Sequence, residues 1–453
     1  MKKFIFLVLL VYVKQINAQI CFNPPDSFAI GSKPSALVTA DFDKDGKIDI
    51  AASNWSTNDV SIFLGTGTGS FGSATSFSIG SNPQDVIAAD FDGDGNTDLA
   101  TANHDSYNVS ILLGTGTGIF SAPVNYAVGS NPYSVYSNDF NGDGIKDILV
   151  SAFSFGISHN FYLLTGTGSG TFNPASSVLS VPTNTTVLAF TCADFNGDSK
   201  IDLAITKPNW TDINVYMGTG TGSFGPATNY TVAGAYEIAT SDINADTFND
   251  LIICKRVSNN YSISIMKGDG AGNFSFSATY SVNRPSSPAF ADYNSDGIID
   301  LAIASAPYNN LNVMLGTGNG NFATPIIVAA IASPSDVITA DFNGDTKPDL
   351  ATNGYNVSVV INCNNVNIEV FSDNNEIKIY PNPANNSLQV TVGYGHVTDV
   401  KIYDLLGKQI KIEELKRIND AMQIDVSNLK EGVYFVDVKT SKEVLTKKLI
   451  IQR

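Results

Sequence analysis

The sequence predicts an all-β chain, a seven-bladed β-propeller followed by a small β-sandwich, and three observations predict it. A nine-residue acidic loop recurs seven times, beginning at Asp41, Asp90, Asp139, Asp194, Asp242, Asp292 and Asp341, with starts 49, 49, 55, 48, 50 and 49 residues apart. Between the loops lie short apolar segments rich in β-branched residues, punctuated by glycine and proline, with no long helical periodicity. From about Ser372 the repeat stops and lysine density rises, while strand-like alternation continues.

Residues 1–18, MKKFIFLVLLVYVKQINA, carry two early lysines, an apolar run from Phe4 to Val13 and a small residue, Ala18. This reads as a secretory signal peptide. No other apolar run approaches the ~20 residues a membrane helix needs, so a chain without a transmembrane segment is expected outside the cell. Cys21 lies just before the first strand and Cys363 just after the last repeat, so closing the array would bring them together as a disulfide. Cys192 and Cys254 sit in apolar strand sequence and read as small buried hydrophobes.

Residues 19–371 form the propeller. One unit reads VIAADF, acidic loop, DLATAN, a polar insert, NVSILLGTGTG, then IFSAPVNYAVGSNP: four strands, the count of a propeller blade. The seventh unit stops after its third strand, NVSVVIN, and the mature chain begins with SFAIGSKPS, which matches a fourth-strand ending. The first strand is therefore expected to complete the last blade and remove both free edges. The GTGTG segments are not phosphate loops, because no helix follows them. They read as hairpin turns, and Phe71, Phe120, Phe172, Phe224, Phe274 and Phe322 after them are expected to pack between blades.

In each loop, positions 1, 3, 5 and 9 bear oxygen: Asp41, Asp43, Asp45 and Asp49 in the first; Asp90, Asp92, Asp94 and Asp98 in the second; Asp139, Asn141, Asp143 and Asp147 in the third; Asp194, Asn196, Asp198 and Asp202 in the fourth. The fifth has Asp242, Asn244, Asp246 and Asp250; the sixth Asp292, Asn294, Asp296 and Asp300; the seventh Asp341, Asn343, Asp345 and Asp349. Alternate oxygens on a curled loop, with a backbone carbonyl near position 7, supply the six to eight hard ligands that calcium takes. Magnesium, with its strict octahedron, fits less well. Up to seven structural calcium ions are expected. Gly46, Gly95, Gly144 and Gly297 supply the positive φ that such a curl needs at position 6; Ser199, Thr247 and Thr346 replace them, and those loops are expected to bind more weakly. The loops read as separate sites, so Asp94→Ala is expected to weaken one alone.

The loops hold 23 of the 43 acidic residues against five lysines, a net charge of −18, while the whole chain carries −17. The acidity is a metal-site property that couples folding to cation binding and argues against nucleic acid as a partner.

The loop Phe140–Gly144 (FNGDG), the GTG turns and the phenylalanine after each resemble FG-GAP or VCBS repeats, the units of the integrin α-subunit propeller, over roughly residues 22–363. The resemblance implies calcium in hairpin loops on one face and ligand binding on the other. This chain differs from integrins in carrying the loop in all seven blades. Residues 372–453 are similar to the type A C-terminal sorting domain of the type IX secretion system, through Tyr380, Pro381, Asn382 and Pro383, the Tyr403–Gly407 turn, Gly432–Phe435, Lys447 and Lys448. That implies export across the outer membrane by the type IX machinery, removal of the domain, and release or attachment at the cell surface.

Strand order puts the inserts between second and third strands on the face opposite the acidic loops, with the links between blades. The inserts carry Trp55, His104, Tyr107, Phe155, Trp210, Tyr261, Tyr308 and Tyr355, and the links Tyr133 and Tyr236. Rings beside Asn and Asp offer stacking and hydrogen bonds, so an extracellular glycan or protein ligand is expected there, on a monomer used in adhesion. The alternative is that the rings plug gaps between blades. No metalloprotease or nucleophile-elbow motif appears. A polysaccharide-degrading hydrolase or lyase stays open as the second reading, and would draw on Asp59, Asp105, Asp212 or Glu237.

Overall fold

The structure, a computed structural model, describes residues 20–30, 33–154, 158–182, 189–206, 211–330, 333–363, 378–391, 397–404, 407–412, 415–418, 421–439 and 444–452. The leader (1–18), Phe155, Trp210 and the expected boundary at 371/372 lie outside the described residues. The chain divides into two compact units, Met1–Asn365 and Val366–Arg453.

Among the described residues the first unit holds seven four-stranded antiparallel sheets. The first is Pro34–Ala40, Asp49–Asn54, Asp59–Phe63 and Thr75–Ser78, and it shows why the sequence folds this way. Its second strand, DIAASN, is buried at every residue, whereas its fourth, TSFS, is largely exposed. Continuous apolar text thus marks a strand covered on both faces, and polar alternation marks the outer rim. The inner strands pack side by side, and the first meets the last: Asp336 Oδ2, just before Val337–Ala340, accepts the Leu37 N–H at 2.9 Å. The sheets therefore close into a propeller.

The last sheet takes its fourth strand from the start of the chain. Asp26–Phe28 pairs antiparallel with Val357–Val360, Ser27 opposite Ser358. Cys21 and Cys363 form a disulfide, and the Cys363 N–H donates to the Cys21 carbonyl at 2.9 Å. Cys192 and Cys254 are buried and free.

Between blades the core is aromatic. Phe120 meets Phe42 of the preceding blade edge-on at 5.6 Å between centroids, and Phe172–Phe91, Phe224–Phe140, Phe274–Phe195 and Phe71–Phe342 repeat the contact. Such T-shaped pairs are each worth about 0.5–1.5 kcal/mol beyond their burial. Outer-strand tyrosines add a polar tie: the hydroxyls of Tyr126, Tyr230 and Tyr280 accept the N–H groups of Phe172, Phe274 and Phe322 in the next blade.

The second unit is a β-sandwich. One sheet orders Lys378–Tyr380, Ser387–Thr391, Ala421–Asp425 and Leu415–Ile418; the other orders Gln409–Ile410, Asp399–Tyr403, Gly432–Lys439 and Val444–Ile451. Their inner faces bury Leu388, Val390, Val400, Ile402, Ile424, Val436 and Leu449.

Candidate metal centres and the opposite loop face

Each acidic loop links the first and second strands of a blade, and its own side chains hold it curled. In the second blade, Asp90 Oδ1 and Oδ2 accept the N–H groups of Gly93 and Gly95 at 2.7 and 2.9 Å. Asp92 Oδ1 takes the Asp94 N–H at 3.1 Å, and Asp94 Oδ1 the Asn96 N–H at 2.7 Å. These are the local side-chain-to-backbone bonds that Asp and Asn favour in turns. The curl needs positive φ at two positions. Position 6 has it in all seven loops, at 65°, 74° and 70° for Ser199, Thr247 and Thr346. Position 4 has it too, at 59°, 59° and 58° for Lys44, Ala245 and Ser295, a requirement the sequence reading missed. Glycine at 93, 142, 197 and 344 was its signal.

The carboxylate oxygens of Asp41, Asp43 and Asp49 come within 4.8 Å of one another, as do those of Asp90, Asp92 and Asp98. The other five loops have Asn at position 3, and its amide oxygen plays the same part: Asn141 Oδ1 takes the Asp143 N–H at 2.9 Å. An all-oxygen donor set with several carboxylates fits calcium. Lys47 and Lys200, at position 7 of their loops, reach back, Lys47 Nζ to Asp45 at 2.6 Å and Lys200 Nζ to Asp198 at 3.1 Å; the Lys47 ammonium holds the Asp45 carboxyl below its usual range, and the Lys200 backbone N–H together with its ammonium does so for Asp198.

Position 9 is the buried root of every loop. Asp98 accepts the Phe91 N–H on Oδ2 at 2.8 Å and the Gly114 N–H on Oδ1 at 2.7 Å. Asp49, Asp147, Asp202, Asp250 and Asp300 do the same with Phe42 and Gly65, Phe140 and Gly166, Phe195 and Gly218, Ile243 and Gly268, and Tyr293 and Gly316. Asp349 takes the N–H of Phe342 and, in place of a turn glycine, that of Asn362. Each oxygen keeps a second lone pair for a cation. Burial pushes Asp49, Asp98, Asp202, Asp250 and Asp349 up to about 6 and Asp300 to about 7, against the pull of those N–H groups. The first glycine of each turn is required for this approach: a Cβ on Gly114 would stand 2.2 Å from the Thr97 carbonyl oxygen.

The opposite face sorts its aromatic residues. Trp55, Tyr107, Tyr308 and Tyr355 are 47, 52, 54 and 66% exposed, one on each of four blades that are consecutive round the ring. The tips of the first two are tied through the link between them: Asn82 N–H donates to Asn58 Oδ1 at 2.7 Å, and His104 N–H to the Asn82 carbonyl at 3.0 Å. His104 pairs with Asp105 at 2.6 Å. Tyr133 is 39% exposed. Tyr261 is half-buried with Arg256 and Arg284 each 5.5 Å from its ring centroid, and Tyr236 donates its hydroxyl to the Pro285 carbonyl, so these two serve packing and blade linkage rather than a free surface.

A third set was not singled out from sequence as a group. Asp85, Glu237 and Asp336 occupy the same place, five residues before the acidic loop, the first two on the inner strand of their blade and Asp336 just before it. Each accepts a backbone N–H from the following blade, Val135 at 3.0 Å, Ser287 at 2.7 Å and Leu37 at 2.9 Å. Burial raises Asp85 to about 6 and Glu237 to about 7, and the negative charge of Asp336 adds to both. Of the acid–base candidates, Glu237 is thus a blade clasp, Asp59 is held by Asn54 at 2.6 Å, and Asp105 by His104. Asp59, Asp105, Asp212 and Glu237 stand on four different blades.

The FG-GAP-like repeat model matches residues 41–101, 90–150, 242–303 and 292–352, and the secretion system C-terminal sorting domain model matches 378–452. The chain carries FG-GAP-like repeats and a sorting tail. That tail directs the protein through the type IX secretion system to the cell surface or the extracellular space. No curated protein matches the chain. Among solved structures it is similar to the periplasmic gluconolactonase PpgL of Pseudomonas aeruginosa, at 18% identity over 67% of this chain and 87% of that one, with a TM-score of 0.49. It is also similar to the Dos1 propeller, at 11% identity over 73 and 77% and a TM-score of 0.47. BBS1N, solved in complex with ARL6DN, matches at 9% over 75 and 96%, with a TM-score of 0.47. No helix among the described residues is long and apolar enough to cross a membrane.

Proposed function

We propose that the FG-GAP propeller is a non-catalytic binding module displayed outside the cell, stiffened by calcium in its acidic loops and used in adhesion to a glycan or protein. The observation that carries the reading is the arc of exposed rings, Tyr308, Tyr355, Trp55 and Tyr107, on neighbouring blades. Rings held half-open on neighbouring blades offer stacking surface, and a flat ring beside Asn and Asp suits a sugar face or an extended polypeptide. The acidic loops supply oxygen ligands alone, which favours calcium as the stiffening ion.

The test is a glycan array and a surface-protein pull-down with the full exported chain, beside Trp55→Ala and Tyr355→Ala. A ligand retained by the native chain and lost by both variants, with unchanged melting, supports the reading. No ligand above background would sink it. Release of reducing ends from a polysaccharide, abolished by Asp105→Asn or Asp212→Asn, would replace it with a hydrolytic one.

A further inference from the structure

The acidic loops are wired to one another round the ring. At position 2 of a loop, one residue faces two ways. Phe42 donates its N–H to Asp49 of its own blade at 2.8 Å, and its carbonyl accepts the N–H of Gly118, in the GTGTG turn of the next blade, at 3.0 Å. That turn is pinned in turn by its first glycine, Gly114, to Asp98 at 2.7 Å, and Asp98 holds Phe91. The carbonyls of Phe91, Phe140, Phe195 and Phe342 accept the N–H groups of Gly170, Gly222, Gly272 and Gly69 at 3.2, 2.9, 3.0 and 2.9 Å.

The seventh blade has no GTGTG turn, and Asn362 stands in for it. Its backbone N–H donates to Asp349 at 2.7 Å, as a turn glycine would, and its side-chain amide donates to the carbonyl of Tyr293, position 2 of the sixth loop, at 2.7 Å. Asn362 is 2% exposed, and its amide also reaches the Pro348 carbonyl at 3.1 Å. Six junctions among the described residues carry the same relay, and one of them is made by a side chain alone.

Position 2 lies between the ligand residues at positions 1 and 3. A cation that fixes those two residues also fixes both peptide planes of the residue between them, and with them the next blade's turn and its position-9 carboxylate. We propose that the loops take up calcium cooperatively, each filled loop raising the affinity of its neighbours, and that Asn362 is the positioning residue that carries the coupling between the sixth and seventh blades. This rests on the calcium reading above and replaces the expectation of separate sites. Coupling through one hydrogen bond is worth about two- to tenfold in neighbouring affinity.

The experiment is calorimetric titration of the chelator-stripped full chain with calcium, for the native sequence, Asp94→Ala and Asn362→Ala, with melting curves at saturating calcium. The native isotherm is expected to be steeper than independent sites allow. Asp94→Ala, at an exposed ligand position, is expected to lose its own site and to weaken the remaining ones about two- to tenfold. Asn362→Ala, which removes no ligand, is expected to weaken binding as well. An Asp94→Ala isotherm short of one site and otherwise native overturns the coupling, and decides alone if Asn362→Ala does not fold. A native chain that takes up no calcium overturns the metal reading along with it.

Discussion

The carboxylate of Asp336 accepts the backbone N–H of Leu37 at 2.9 Å, 299 residues away in sequence. This bond lies at the junction where the last blade meets the first, beside the Gly69 N–H on the Phe342 carbonyl and the Asn353 amide on the Ser35 carbonyl, each at 2.9 Å, while the strand Asp26–Phe28 and the disulfide close the last blade itself. Asp336→Ala leaves the Leu37 N–H without its acceptor. Unfolding free energy is expected to fall by about 1–3 kcal/mol in urea titration. An unchanged midpoint would mean that the seam does not depend on this clasp.

The disulfide closes a loop of 342 residues. Cys21→Ser is expected to cost about 2–5 kcal/mol and to expose the first strand to proteolysis. Limited digestion that leaves residues before Pro34 intact in the variant would count against this role.

Chelation is expected to lower the melting temperature by many degrees, because seven acidic loops that repel without cations would then have to stay folded. Calcium should restore the melt more fully than magnesium. The same transition in chelator and in calcium is incompatible with structural ions.

Glu237 gives a pH signature. Burial raises its folded carboxyl to about 7 from an ordinary 4.5, with the Ser287 N–H pulling the other way and Asp336 pushing with burial. The folded state therefore holds the proton more tightly than the unfolded one. Ionisation is a cost that is full above about pH 7 and relieved as pH falls toward 4.5. Glu237→Gln keeps the acceptor for Ser287 without the charge, so its stability advantage over the native chain should be largest near pH 8 and shrink toward pH 4.5. A difference that stays flat across that window refutes the assignment.

Gly114→Ala should be among the most damaging small substitutions, at about 1–3 kcal/mol, because the new methyl collides with the Thr97 carbonyl and pulls a donor away from Asp98. Denaturant melts of this variant beside Gly72→Ala, whose methyl would find its nearest neighbour at 3.7 Å, measure the difference.

Much of the fold was legible because its determinants are periodic. The loop that starts at Asp90 recurs with near-constant spacing, DLATAN reads as a fully covered strand, and SFAIGSKPS repeats a fourth-strand ending at the wrong end of the chain. What stayed hidden depends on partners far apart in sequence. Position 9 looked like a fourth metal ligand, and the fold makes it also the carboxylate that binds the loop to the turn. Asn362 looked like the end of a strand, and no motif marks Asp85 or Asp336.

The amino-acid order by itself determined the repeat, the strands, the oxygen-rich loops and the sorting tail, since each is a local pattern of hydrophobicity and turn chemistry within a few residues. Only the tertiary structure decided which aromatic rings face water and which carboxylates clasp the next blade. It also decided how one asparagine replaces a missing turn, because a ring brings each blade against a neighbour about fifty residues away, or, at the seam, against the other end of the propeller.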